Sequence, residues 1–226
     1  MTSRSIFCSS LIALGLCCAS QAATITLLNG DFATGSGTIA TSWTQTDGAA
    51  TNSPPSNYWL NNLPNIPGGT IQLKSDGGNF IQQALTASDL GAVDANSFGS
   101  YTVGLDYGYR RDAVLNGDHT IRISLWNVTD NVEITGTDLL IAPPASIGAN
   151  SLSTGSFVLS YDNTVASLAG DAIAIRFTSV SSDLGANSWQ RTAVLDNISI
   201  TAVPEPSAAA LFGGLGLLGL LRRRRA

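Results

Sequence analysis

Between residues 23 and 203 the sequence has no cysteine, a single lysine (Lys74), a single histidine (His119) and a single glutamate (Glu133). Without cysteine this stretch forms no disulfide and does no thiolate chemistry, and an ordinary zinc site has too few ligands to draw on. One histidine could serve a nucleophilic triad, but Gly35-Ser36-Gly37 lacks the Gly-x-Ser-x-Gly spacing of a nucleophile elbow. His119 itself follows Asn116-Gly117-Asp118, which reads as an exposed turn. Aspartates could still form a glycosidase pair, but their spacing is not readable from sequence, and the expectation is that the protein is not an enzyme. Positive charge is also scarce. Lys74, Arg110, Arg111, Arg122, Arg176 and Arg191 face 14 aspartates and Glu133, a net charge of −9, which argues against nucleic acid or an anionic membrane surface as partner.

What is present at the two ends reads as addressing. Arg4 is the lone basic residue of a short polar start, Leu11 to Ala19 is an apolar run of signal-peptide length, and Ser20-Gln21-Ala22 puts small residues at −3 and −1 of a cut before Ala23. Residues 1–22 are therefore expected to be a cleaved signal peptide. All three cysteines, Cys8, Cys17 and Cys18, lie within it, and Leu16 and Cys17 are the wrong neighbours for a lipoprotein cysteine. At the other end, Pro204-Glu205-Pro206 stops any preceding strand, because proline has no N–H for a ladder. Ala208 to Leu221 carries no charge, and Arg222, Arg223, Arg224 and Arg225 close the run with a cluster retained on the cytoplasmic side of a membrane. At about 1.5 Å per residue such a helix reaches roughly 21 Å against a hydrocarbon core of about 30 Å. Arginine snorkelling and local thinning make up the difference.

Pro204-Glu205-Pro206, a short apolar helix and an arginine cluster, in that order, resemble the PEP-CTERM sorting signal of Gram-negative bacteria. The resemblance covers about a tenth of the chain, residues 204–226. It implies that an exported protein is anchored transiently in the inner membrane by a single C-terminal helix, cut by an exosortase, and delivered to the cell surface or the extracellular matrix. It assigns an address and no activity.

Residues 23–203 are enough for one domain with a sizeable core. Apolar residues recur there with period two between turn signals, and no sustained helical period appears. The expected strands are Thr24 to Leu28, Thr70 to Lys74, Asn79 to Leu85, Tyr101 to Tyr109, Ile121 to Trp126, Val132 to Ile141, Phe157 to Tyr161, Ala172 to Phe177 and Ala193 to Thr201. Ser75-Asp76-Gly77-Gly78 reads as the turn of a β-hairpin, and Tyr101 to Tyr109 as a central strand. In the run after Asp118, Ile121, Ile123 and Leu125 share one face and Arg122, Ser124 and Trp126 the other. Only Thr86 to Val93 reads as room for a helical turn. An all-β, antiparallel jelly-roll sandwich is expected.

Leu28-Asn29-Gly30-Asp31-Phe32, Ile81-Gln82-Gln83, an arginine ending a central strand and Leu195-Asp196-Asn197-Ile198 resemble galactose-binding-like jelly rolls, the fold of many carbohydrate-binding modules. That resemblance implies polysaccharide as ligand, and a structural calcium between the first and last strands that would draw in Asp31 and Asp196. The residues themselves leave two readings of Asp196. Its parity with Val194, Ile198 and Ile200 predicts an inward carboxylate, which needs a cation or several hydrogen bonds; alternatively it sits at a bulge or strand end and accepts from backbone amides. Aromatic rings are the usual platform for a sugar face, and Trp43, Tyr58, Trp59, Trp126 and Trp189 fall at loops or on the polar strand face. Trp189 with Arg191, and Tyr109 with Arg110, are the most site-like groups; core or rim packing is the other reading of each tryptophan. A purely structural surface or biofilm protein is the alternative to a polysaccharide binder.

Overall fold

A computed structural model describes residues 23–36, 39–46, 57–60, 69–74, 79–85, 99–109, 120–134, 139–144, 147–148, 151–161, 171–180 and 192–203. These hold fourteen strands and no helix: β1 (Ala23–Ile25), β2 (Gly35–Ser36), β3 (Ile39–Ala40), β4 (Thr44–Gln45), β5 (Asn57–Leu60), β6 (Thr70–Lys74), β7 (Phe80–Leu85), β8 (Gly99–Tyr109), β9 (Ile121–Asn127), β10 (Val132–Glu133), β11 (Leu139–Ile141), β12 (Leu152–Tyr161), β13 (Ile173–Ser179) and β14 (Thr192–Val203). The first sheet runs β12-β8-β14-β6-β5, with β1 also on β14; the second runs β10-β9-β13-β7-β4, with β11 also on β9. All pairings are antiparallel.

The period-two pattern explains the two layers. Ile71, Leu73, Val103, Leu105, Leu195 and Ile200 of the first sheet and Ile81, Ile123, Ile175 and Phe177 of the second are essentially inaccessible and form one cluster. Each such side chain contributes about 1.5–3 kcal/mol by leaving water. Trp43 closes the core beside Phe32 and Phe177, with ring centroids 5.2 and 6.2 Å away, and its Nε1 donates to the Asn29 carbonyl at 3.0 Å. It is a core residue and not a ligand platform.

The chain alternates between sheets. From β6 onward it goes to β7 in the opposite sheet, back to β8, across to β9, and later through β12 and β13 to β14, which is a jelly-roll path. The expected hairpin between β6 and β7 is therefore corrected. β6 pairs with β14 and β5, while β7 pairs with β13 and β4, so the Asp-Gly signal marks a crossing between layers. The expected strand from Val132 to Ile141 is two short strands, β10 and β11, each antiparallel to a different part of β9. The central placement of Tyr101 to Tyr109 holds, since β8 lies between β12 and β14.

Among the described residues no helix is long and apolar enough to cross a membrane. The expected signal peptide (1–22), the turn at Thr86 to Val93, His119 and the sorting tail (204–226) lie outside the described residues.

Candidate functional site

The outward face of the second sheet gathers its polar and aromatic side chains at one place. Register pairs Arg176 of β13 directly with Gln82 of β7 on one side and Ser124 of β9 on the other. Gln82 Oε1 accepts from Arg176 Nε at 2.9 Å and from Nη2 at 2.6 Å. The guanidinium carbon lies 3.8 Å from the Phe80 ring centroid and 3.5 Å from that of Trp126, so the cation is clamped between two rings. Such contacts contribute about 0.5–2 kcal/mol each, more when desolvated. Arg176 is only 6 % exposed. Burial brings its guanidinium down to about 10 from 12.5, against the upward pull of Glu133, and it remains charged at neutral pH.

The rest of this face is rich in donors. Arg122 Nη1 sits 3.5 Å from Glu133 Oε2, a half-exposed pair whose contribution is small. Ser124 Oγ and Trp126 Nε1 are buried and meet no hydrogen-bond partner. Phe80 and Trp126 are themselves half-buried. The expected split of β9 into an apolar and a polar face is thus observed, and Trp126 is where its parity placed it.

A second polar cluster lies on the outer face of the first sheet. Between Asp196 and Ser199 the ladder of β14 against β8 slips by a bulge, with Asn197 at φ 48°. The extra residue inverts the pleat: Ala193 and Leu195 face the core before it, Ile198 and Ile200 after it. Asp196 therefore does not share the inward row of Ile198 and Ile200. It points outward, opposite Asp106 of β8, and it belongs with the alternative in which a bulge residue accepts from a backbone amide. Its Oδ1 accepts the Asn197 N–H at 2.7 Å. Asp106 accepts from Thr154 Oγ1 at 2.6 Å and from Asn197 Nδ2 at 2.8 Å.

The loop after β1 docks on this bulge, the Gly30 carbonyl accepting the Ile198 N–H at 2.8 Å. A Cβ on Gly30 would collide with the Ile198 carbonyl, so glycine is required for the approach. The loop carries Asp31, whose charge acts on Asp196. Burial pushes the Asp196 carboxyl up to about 6 from 3.8; the Asn197 N–H opposes this, while the charges of Asp106 and Asp31 add to it. Calcium takes 6–8 oxygens at about 2.3–2.6 Å. Asp196, Asp106 and Asp31 are oxygen donors of the right kind, but among the described residues no three His, Cys, Asp or Glu are grouped closely enough to hold an ion.

Of the residues expected to bind ligand, Tyr109 is buried, with its hydroxyl donating to the Ile147 carbonyl. Trp189, Arg191 and Arg110 lie outside the described residues, as do Pro204, Glu205, Pro206 and Arg222 to Arg225. Tyr58 and Trp59 fall on β5. Arg176, Gln82 and Phe80 were missed. The signal was present in Ile173-Ala-Ile-Arg-Phe, where alternation puts one arginine on the face opposite Ile175 and Phe177.

No protein-family model matches the sequence, and no curated protein matches it. Solved structures do. A cyclase from Fischerella sp. TAU superposes with a TM-score of 0.55 at 15% identity, over 83% of this chain and 100% of that one. The likeness shows the fold. A Stig cyclase from Fischerella sp. TAU, solved with a pyrrolidinylidene-indole, gives 0.51 at 16% identity over 81% and 99% of the two chains. The xylan-binding domain from Paenibacillus barcinonensis gives 0.42 at 10% identity over 78% and 93%.

Proposed function

We propose that this β-sandwich binds polysaccharide on the outward face of its second sheet and acts by binding, without turning the polymer over. The observation that carries the reading is the Phe80–Arg176–Trp126 stack with Gln82 beside it. A pyranose has apolar faces that pack on rings and a rim of hydroxyls that need fixed polar partners, and this face offers both within neighbouring strands. The test is retention of the full chain on a panel of insoluble polysaccharides, with Trp126→Ala as control. Retention that Trp126→Ala abolishes supports the reading. No retention on any polymer overturns it in favour of a purely structural surface protein, and release of soluble sugar would return catalysis to consideration.

We also propose that residues 1–22 export the chain and that residues 204–226 hold it transiently in the inner membrane until an exosortase cuts near Pro204-Glu205-Pro206, with the cell surface or extracellular matrix as destination. The support is the order of the three tail segments and the arginines that end them. Deleting residues 204–226 should abolish both membrane retention and processing. A deleted chain that is still retained and cut would overturn this assignment.

A structural calcium at Asp31 and Asp196, with Asp106 adjoining, is proposed as well. Its support is electrostatic: a carboxylate that is 5 % exposed, raised chiefly by burial and further by the charges of Asp106 and Asp31, is relieved by a cation.

A further inference from the structure

We propose that the ligand of the second sheet's outward face is an acidic polysaccharide, whose uronate carboxylate completes the coordination of Arg176. This rests on the polysaccharide reading above and names the class of sugar.

Arg176 has five N–H groups, of which Nε and Nη2 each direct one to Gln82 Oε1. No carboxylate forms an ion pair with it among the described residues. Glu133, the acidic residue whose charge it feels, is engaged with Arg122 at 3.5 Å. Ser124, its direct register neighbour and 1 % exposed, has a hydroxyl with no partner, and the indole N–H of Trp126 has none either. Because the Gln82 carbonyl is already engaged, its amide NH2 is the end left for a ligand.

Around this cation, shielded by two rings, Ser124 Oγ, Trp126 Nε1 and the Gln82 amide are left as donors. A nearly buried guanidinium with no carboxylate in contact is costly, and a carboxylate in a water-poor setting matches it with charge-assisted hydrogen bonds about twice as strong as neutral ones. A neutral sugar supplies hydroxyls but no charge. The rings restrict approach to the guanidinium edge, the geometry in which a planar carboxylate meets an arginine. The surrounding domain is acidic, so a polyanion is repelled except where it reaches this edge, and binding should strengthen with moderate salt before direct screening weakens it.

The test compares the full chain on polygalacturonate, on the same polymer after carboxyl reduction, and on neutral xylan. Polygalacturonate should be bound more tightly than its reduced form by about tenfold or more. Arg176→Gln should erase the difference, but that variant could lose its fold. Gln82→Glu is the second probe, because it places a carboxylate where the amide oxygen already contacts Arg176. It should keep or raise the melting temperature while reducing polygalacturonate binding to the level of the reduced polymer. Equal binding of acidic and reduced polymers overturns the inference and leaves the polysaccharide reading standing. Acidic preference that survives Gln82→Glu overturns the assignment to Arg176, and retention on none of the three overturns both readings.

Discussion

Gln82 and Arg176 sit directly opposite one another on β7 and β13, 94 residues apart in sequence, and one amide oxygen takes two guanidinium N–H groups at 2.9 and 2.6 Å. The pair is the only fixed polar contact that Arg176 makes among the described residues. Its strength is therefore measurable by removing each partner in turn.

Arg176→Met keeps an unbranched stem between the rings and deletes the charge. It leaves Gln82 Oε1 without its donor, and a loss of about 1–3 kcal/mol is expected. Adding Gln82→Leu removes the orphaned acceptor, and the double variant should recover most of that loss. Urea midpoints of the four proteins check it. A double variant that is as unstable as the sum of the two singles would mean that the pair is not coupled.

Asp196 should make stability depend on pH in calcium-free protein. Its folded value, about 6, lies above the ordinary 3.8, so the folded state holds the proton more tightly. The contribution is fully present below about pH 4 and is lost as pH rises through about 6. Asp196→Asn mimics the protonated form. In excess chelator it should stabilise by on the order of 2–3 kcal/mol at pH 7 and by much less near pH 4. Equal effects at the two pH values would refute the assignment.

With calcium present the sign reverses. Calcium at a hundredfold excess over its dissociation constant should stabilise the native protein by about 2.7 kcal/mol and so raise its melting temperature, and chelator should remove the gain. Asp196→Asn should abolish the response. A melting temperature indifferent to chelator disposes of the calcium site.

Gly30→Ala tests the docking of the first loop on the bulge. The added methyl meets a backbone carbonyl that cannot rotate aside, and a loss of about 1–3 kcal/mol is expected. Asp196 should at the same time become less shielded, so its titration, followed by carboxyl NMR, should move back toward 3.8. An unchanged titration would separate the loop from the burial of Asp196.

How much of this was legible in the sequence depends on how far each feature reaches along the chain. Alternation within one strand is local, so the two faces of Ile121 to Trp126, the central strand β8 and the sandwich class could be read directly. Asp196 defeated the same rule because period-two counting assumes an unbroken ladder, and a single bulge residue reverses it. Ser75 to Gly78 misled for another reason. Turn chemistry specifies a change of direction, while the choice between returning alongside and crossing to the other layer is made by partners such as β13 and β14, far away in sequence. Arg176 was invisible as a site because its meaning lies in Phe80, Gln82 and Trp126, which arrive from two other strands.

The position of β14 has a consequence for the order of events in making this protein. The strand synthesised last among those described is inserted between β8 and β6, and it is the only strand that joins them. Until residues 192–203 are available, the described strands of the first sheet are three separate pieces, β12-β8, β6-β5 and β1, and the core has no closed layer on that side. A chain synthesised from its N-terminus therefore has no complete sandwich to form while most of it has already been made, and long-range pairing of this kind is slow in any case. Folding is thereby coupled to the arrival of one late segment, so that the domain closes only when residues 192–203 have been made.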